Sequence, residues 1–195
     1  MATVSTQAGF PGTDSEVLEI AAARNVDETV LVLMGVSGCG KTAVALELQR
    51  LLGWKFKEGD DLHPPANVEK MRLGQPLNDE DRRPWLERVA QWIDERLAAR
   101  EPGIITCSNL KRAYRQVTIG KRRGVTLVFL HATEAVLAAR LARREHRYMP
   151  ASLLHSQFQT LEEPAADEHP VLVAVDGTLP ETVIDLLRKV AAPAG

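Results

Sequence analysis

Gly35-Val36-Ser37-Gly38-Cys39-Gly40-Lys41-Thr42 follows directly on the apolar run Val30-Leu-Val-Leu-Met34. That junction decides the fold. The eight residues fit the pattern G-x-x-x-x-G-K-[ST] in full. The run before them reads as a buried strand, and Lys41 to Leu52 reads as a helix closed by Gly53. Strand, glycine loop and helix in this order make a phosphate cradle. Its backbone N–H groups turn inward, and the helix N-terminus adds positive potential. Residues 35–42 are therefore candidate nucleotide contacts. Lys41 is expected to reach the terminal phosphates of ATP, and the Thr42 hydroxyl to sit on Mg²⁺.

Composition bounds the rest. The 195 residues suffice for one α/β domain with a proper core. A net charge of −2 and a pI near 6.2 leave no general basic field for nucleic acid or anionic membrane. No apolar run approaches the roughly 20 residues that span a bilayer. Residues 1–27 have neither a basic n-region nor an apolar core, so they do not read as a secretory signal. They read as a flexible extension ahead of a kinase-like domain over 28–195. Two cysteines without a C-x-x-C arrangement point to a reducing, cytoplasmic setting rather than a disulfide framework.

Beyond the loop helix, Trp54-Lys-Phe-Lys57 is a strand candidate and Asn67–Leu73 a short helix. Trp85, Leu86, Val89, Trp92, Ile93 and Leu97 recur at helical spacing, with Pro84 read into the first turn. The tryptophans read as core. Strands follow at 103–107, 125–130 and 171–175, separated by helices at 134–144, 151–161 and 180–190. The last helix opens on Thr178-x-x-Glu181, a capping-box pattern. Continuous apolar strands alternating with helices predict a three-layer α/β fold of the P-loop NTPase type. Its sheet is five-stranded and mainly parallel, with helices on both faces and a mobile lid at about 143–152. Ligands bind such sheets at the carboxyl ends of the strands, where the polar clusters 35–42, 58–63, 108–115 and 176–178 lie.

Phosphoryl transfer needs a nucleotide cradle, a metal, positive charge on the moving group and a residue that orients the acceptor. Asp60, just past the second strand, is placed to take an acceptor hydroxyl's proton, and Glu58 to hold the metal with Thr42. If the strand persists, Glu58 and Asp60 share a side while Asp61 points away. Ser108 and Asn109 offer hydroxyl and amide groups, and Lys111 and Arg115, at i and i+4, are expected to share a helix face. Arg140, Arg143, Arg144 and Arg147 could cover the nucleotide phosphates when a mobile segment closes. Asp176 ends an apolar strand and mimics a Walker B acid. We place it, with Thr178, near the nucleotide base, since Glu58 and Asp60 already supply acids. Cys39 reads as packing within the loop.

These segments resemble the small, thermoresistant gluconokinases of the shikimate-kinase-like branch of P-loop kinases. The carriers are Met34–Thr42, Glu58-Gly-Asp-Asp-Leu-His-Pro64, Asn67-Val-Glu-Lys-Met71 and Gly74-Gln-Pro-Leu-Asn-Asp-Glu-Asp-Arg82. Pro84-Trp-Leu86, Cys107-Ser-Asn-Leu-Lys111, Tyr114-Arg115 and Gln157-Phe-Gln-Thr-Leu-Glu-Glu-Pro164 complete them. The resemblance implies transfer of the ATP γ-phosphoryl to the 6-hydroxyl of D-gluconate, with Asp60 as the acceptor base. It implies that His63, Arg82, Ser108, Lys111 and Arg115 lie on the substrate side. By the same carry-over Arg140 and Arg144 match lid arginines and act with Lys41 in catalysis, and the protein is a homodimer. Asp61 stands where relatives often have an apolar residue, and Asn109 where they often have alanine. A kinase for another small hydroxylated acid, such as shikimate, is the nearest alternative. An ATP-dependent switch using Asp176 is the alternative from another class.

Overall fold

The structure, a computed structural model, describes residues 29–142 and 151–191. The 1–27 extension, Arg143, Arg144, His146 and Arg147 lie outside the described residues, as does most of the expected lid.

Five strands form one sheet: β1 (Val30–Met34), β2 (Lys55–Lys57), β3 (Gly103–Thr106), β4 (Val125–His131) and β5 (Val171–Ala174). Their spatial order is β2-β3-β1-β4-β5, and every pairing is parallel. All five residues of β1 are fully buried, because the strand is central and covered on both faces. Its alternation divides the core. Leu31 and Leu33 face α1 (Lys41–Leu52), α5 (Glu134–Ala142), α6 (Ala151–Thr160) and α7 (Leu179–Ala191) through Val44, Leu48, Leu137, Leu154 and Leu186. Val30, Val32 and Met34 face α3 (Asp79–Ala99) and α4 (Arg112–Thr118) through Trp85, Val89, Ile93 and Tyr114. Full burial of each such side chain contributes about 1.5–3 kcal/mol, so the two layers clamp β1. The expected three-layer, five-stranded parallel architecture is the one observed. Thr178 and Glu181 form the expected reciprocal cap of α7.

Three local expectations are corrected. The short helix α2 runs from Pro65 to Arg72, two residues earlier than the apolar pattern indicates, because Pro65 is well suited to a first helical position. Pro84 is not in a first turn. Asn78 and Asp81 form a capping box that starts α3 at Asp79, so Pro84 sits one turn further in and removes a ladder bond. The strand after Trp54 ends at Lys57 and gives way to a 3₁₀ turn over Gly59–Leu62. The alternation argument for Glu58, Asp60 and Asp61 therefore does not apply.

Candidate active site

The loop between β1 and α1 is shaped in part by its own atoms. Gly35, Gly38 and Gly40 all adopt positive φ. Lys41 Nζ donates to Gly35 O at 2.9 Å and Val36 O at 3.1 Å, folding the ammonium across the loop. Cys39 is buried in the core beneath it, as the packing reading expects. The Ser108 carbonyl accepts from Gly35 N at 3.4 Å, which ties the end of β3 to the loop.

The acidic turn after β2 is placed by residues distant in sequence. Glu58 Oε2 accepts from Thr42 Oγ1 at 2.7 Å, and Glu58 Oε1 accepts from Thr106 Oγ1. Thr106 Oγ1 also accepts from Gly59 N at 3.0 Å. A Cβ on Gly59 would lie 1.9 Å from Thr106 O, so only glycine fits against the end of β3. On the other side, Trp85 Nε1 donates to Gly59 O at 2.7 Å. Trp85 is core, as expected, yet it also fixes the acidic turn and stacks on His63 with ring centroids 4.2 Å apart.

The Glu58–Thr42 pair suits Mg²⁺ in its donors. Both groups are hard oxygens, and a magnesium site commonly uses one or two protein ligands beside phosphates and water. Among the described residues no cluster of three or more His, Cys, Asp or Glu could cage a metal.

Burial pushes the Cys107 thiol, just past the end of β3, up to about 12, and the charges of Asp60, Lys41 and Arg82 act on it as well. Burial, then Arg82, lowers His63 to about 4, so its ring is neutral near pH 7. Asn67 Nδ2 lies 3.5 Å from His63 Nδ1 and donates to Asp81 O at 2.7 Å. Lys111 Nζ reaches both oxygens of Asp79 at 2.8 Å, and the Tyr114 hydroxyl donates to Oδ1 of the same carboxylate. Those two bonds hold Asp79 below the usual carboxylate range, with Arg82 adding to the effect.

Lys111 and Arg115 do not share a face. Lys111 caps α4 in extended conformation, so the helix covers only one of them. Arg115 is buried, with a side chain 2% exposed against Glu168 at 8%. It donates to both Glu168 oxygens at 2.6 and 2.9 Å, to Asn109 O at 3.1 Å and to Glu162 O at 2.8 Å. Its geometry is that of an internal brace.

On the other side of β1, Arg140 Nη2 donates to Gly177 O at 3.0 Å. This attaches α5 to the loop after β5 rather than to the phosphate loop. Asp176 is exposed at the end of β5, an edge strand separated from β1 by β4. Thr178 is engaged as the cap of α7.

Sequence reasoning missed Thr106 and Gln157 as site residues. Thr106 carried a weak signal, a hydroxyl ending an otherwise apolar strand. Gln157 Oε1 accepts from Ser37 N at 2.6 Å, across a separation no local pattern reveals.

Comparison with known proteins identifies the family. The AAA domain family model matches residues 30–164. The gluconokinase of Gluconobacter oxydans (strain 621H) is 50% identical over 159 residues, covering 82% of this chain and 89% of that protein. This chain belongs to the gluconokinase family. The thermoresistant gluconokinase of Escherichia coli (strain K12) is 38% identical over 170 residues, 85% of this chain and 97% of that protein. A crystal structure of a gluconokinase from Sinorhizobium meliloti 1021 superposes with a TM-score of 0.74 at 45% identity, covering 84% of this chain and 92% of that one. The gluconokinase resemblance read from the sequence therefore holds over most of its length.

Proposed function

We propose that this chain transfers the γ-phosphoryl group of ATP to the 6-hydroxyl of D-gluconate, giving 6-phospho-D-gluconate and ADP. Membership of the gluconokinase family supports the reaction. The observation that carries the assignment of roles is the 2.7 Å bond from Thr42 Oγ1 to Glu58 Oε2, which ties the phosphate loop to the acidic turn that contains Asp60.

The residues divide the work. Amides of residues 35–42 and the Lys41 ammonium hold the nucleotide phosphates and stabilise charge that develops in transfer. Asp60 accepts the proton of the acceptor O6–H, O6 forms the new bond to phosphorus, and the bond from phosphorus to the ADP oxygen breaks. Arg82, neutral His63, Ser108 and Lys111 form the polar wall that receives the sugar acid. Thr42 and Glu58 would hold Mg²⁺, which supplies neutralising charge between the phosphates. Arg140 and Asp176, with Thr178, sit on the nucleotide side, and Arg144 is assigned to the lid over 143–152. We further infer a cytoplasmic homodimer whose first 27 residues are dispensable for chemistry. Arg115 belongs to this proposal only as a brace for the loop that carries Ser108 and Lys111.

The test is ADP release with Mg-ATP across a panel of gluconate, other sugar acids and shikimate. Gluconate-dependent turnover is expected. A preference for shikimate, or no turnover with gluconate, overturns the reading.

A further inference from the structure

Gln157 occupies a position that none of the roles above uses. It lies on α6, 120 residues from the loop it touches, and its Oε1 accepts from Ser37 N at 2.6 Å. Ser37 is the second residue of a turn closed by Cys39 N donating to Val36 O at 3.3 Å. Gly38, the third, has φ +86°, which makes the turn type II. The turn's own bond leaves the Ser37 N–H pointing outward, and a backbone N–H without a partner is costly when water is excluded. Gln157 satisfies it. The next residue is closely packed as well: a Cβ on Gly38 would lie 3.1 Å from Leu141 Cδ2 on α5. The loop tip thus lies against two helices, with Lys41 folded over the loop carbonyls.

We propose that Gln157 is a positioning residue for phosphoryl transfer: through the Ser37 N–H it fixes the tip of the phosphate loop against the nucleotide's terminal phosphates. The inference rests on the kinase reading above.

The test is a double-mutant cycle. Gln157→Met removes the acceptor at matched length. Ser37→Pro removes the donor at a turn position that favours proline. Each single variant is expected to lower kcat/KM for ATP roughly 3- to 10-fold, the range for one net hydrogen bond, with KM for gluconate within about twofold of wild type. The double variant is expected to be no worse than the more impaired single one, because both delete the same bond. Wild-type kinetics in Gln157→Met, or losses that multiply in the double variant, would overturn the proposal. So would a fall in unfolding midpoint without a change in kinetics. The same cycle is read by direct titration with a non-hydrolysable ATP analogue. Absence of gluconate turnover in the wild-type protein would then refute the assigned reaction while leaving the loop coupling measurable.

Discussion

Replacing Thr106 with valine separates the acidic turn's support from its chemistry. The substitution keeps the shape of a side chain that is 1% exposed, so no cavity term enters. It deletes one oxygen with two jobs: accepting from Gly59 N at 3.0 Å and donating to Glu58 Oε1. The first loss orphans a buried donor, which costs about 1–3 kcal/mol. The second is smaller in stability, because Glu58 is half-exposed and water replaces the hydroxyl. The sum is about 2 kcal/mol, which for a chain of this size lowers the melting temperature by roughly 4–8 °C. Function responds differently. Glu58 keeps its bond from Thr42 but loses the partner that orients its other oxygen. Loss of such a supporting bond weakens metal affinity by roughly 10-fold or more. Thermal melts and turnover as a function of Mg²⁺ at fixed ATP and gluconate check both parts. An unchanged melting temperature together with a superimposable Mg²⁺ dependence would refute the account of the turn.

Other expectations follow from the same geometry. Asp60→Asn should lower kcat by roughly 10²–10⁴, the range for a general acid–base group, while ADP affinity measured by titration stays near wild type. Arg115→Leu leaves Glu168 buried without its partner and should destabilise by about 3–5 kcal/mol in urea unfolding, with KM for gluconate little changed in protein that remains folded. A large rise in that KM without loss of stability would return Arg115 to the substrate side. Burial, then Arg82, holds His63 down at about 4 in the folded protein, below the ordinary 6.5 of a free imidazole. The unfolded chain therefore binds the proton first, so stability falls as pH drops from about 6.5 towards 4 and is level above. His63→Phe keeps the stack on Trp85 and should flatten that slope in melting temperature; parallel slopes would exclude His63 as its source.

The sheet was legible because its central strands are buried on both faces and read as unbroken apolar runs, Val30–Met34 most plainly. The phosphate loop and the Thr178–Glu181 cap were legible because each is a local device with fixed spacing. What the sequence concealed depends on partners far along the chain. The acidic turn leaves the strand at Glu58 because Thr106 and Trp85 hold Gly59 from two sides, and neither is near it in sequence. Arg115 looks like the second of two cations on one helix face. Its fate is decided by Glu168, 53 residues later. Asn109 has φ +47°, a left-handed conformation that asparagine tolerates better than most residues, and no local spacing announces it.

The chain between Gln157 and Glu168 links the two halves of the site directly. At one end Gln157 holds the tip of the phosphate loop. One helical turn later, Glu162 N donates to Leu110 O at 2.7 Å, and Glu162 Oε2 accepts from Arg112 N at 2.6 Å. Arg115 then pins the carbonyls of Asn109 and Glu162 beside each other, with Glu168 closing the brace. The nucleotide loop and the loop of Ser108 and Lys111 are therefore set in register by a third segment, not only by the adjacency of β1 and β3. In-line transfer tolerates little error in the separation of donor and acceptor, and a misplacement of 1 Å can cost about 10²-fold in rate. A buried ion pair that adds little net stability is well spent there, because it fixes a distance that apolar packing alone would leave free to slide.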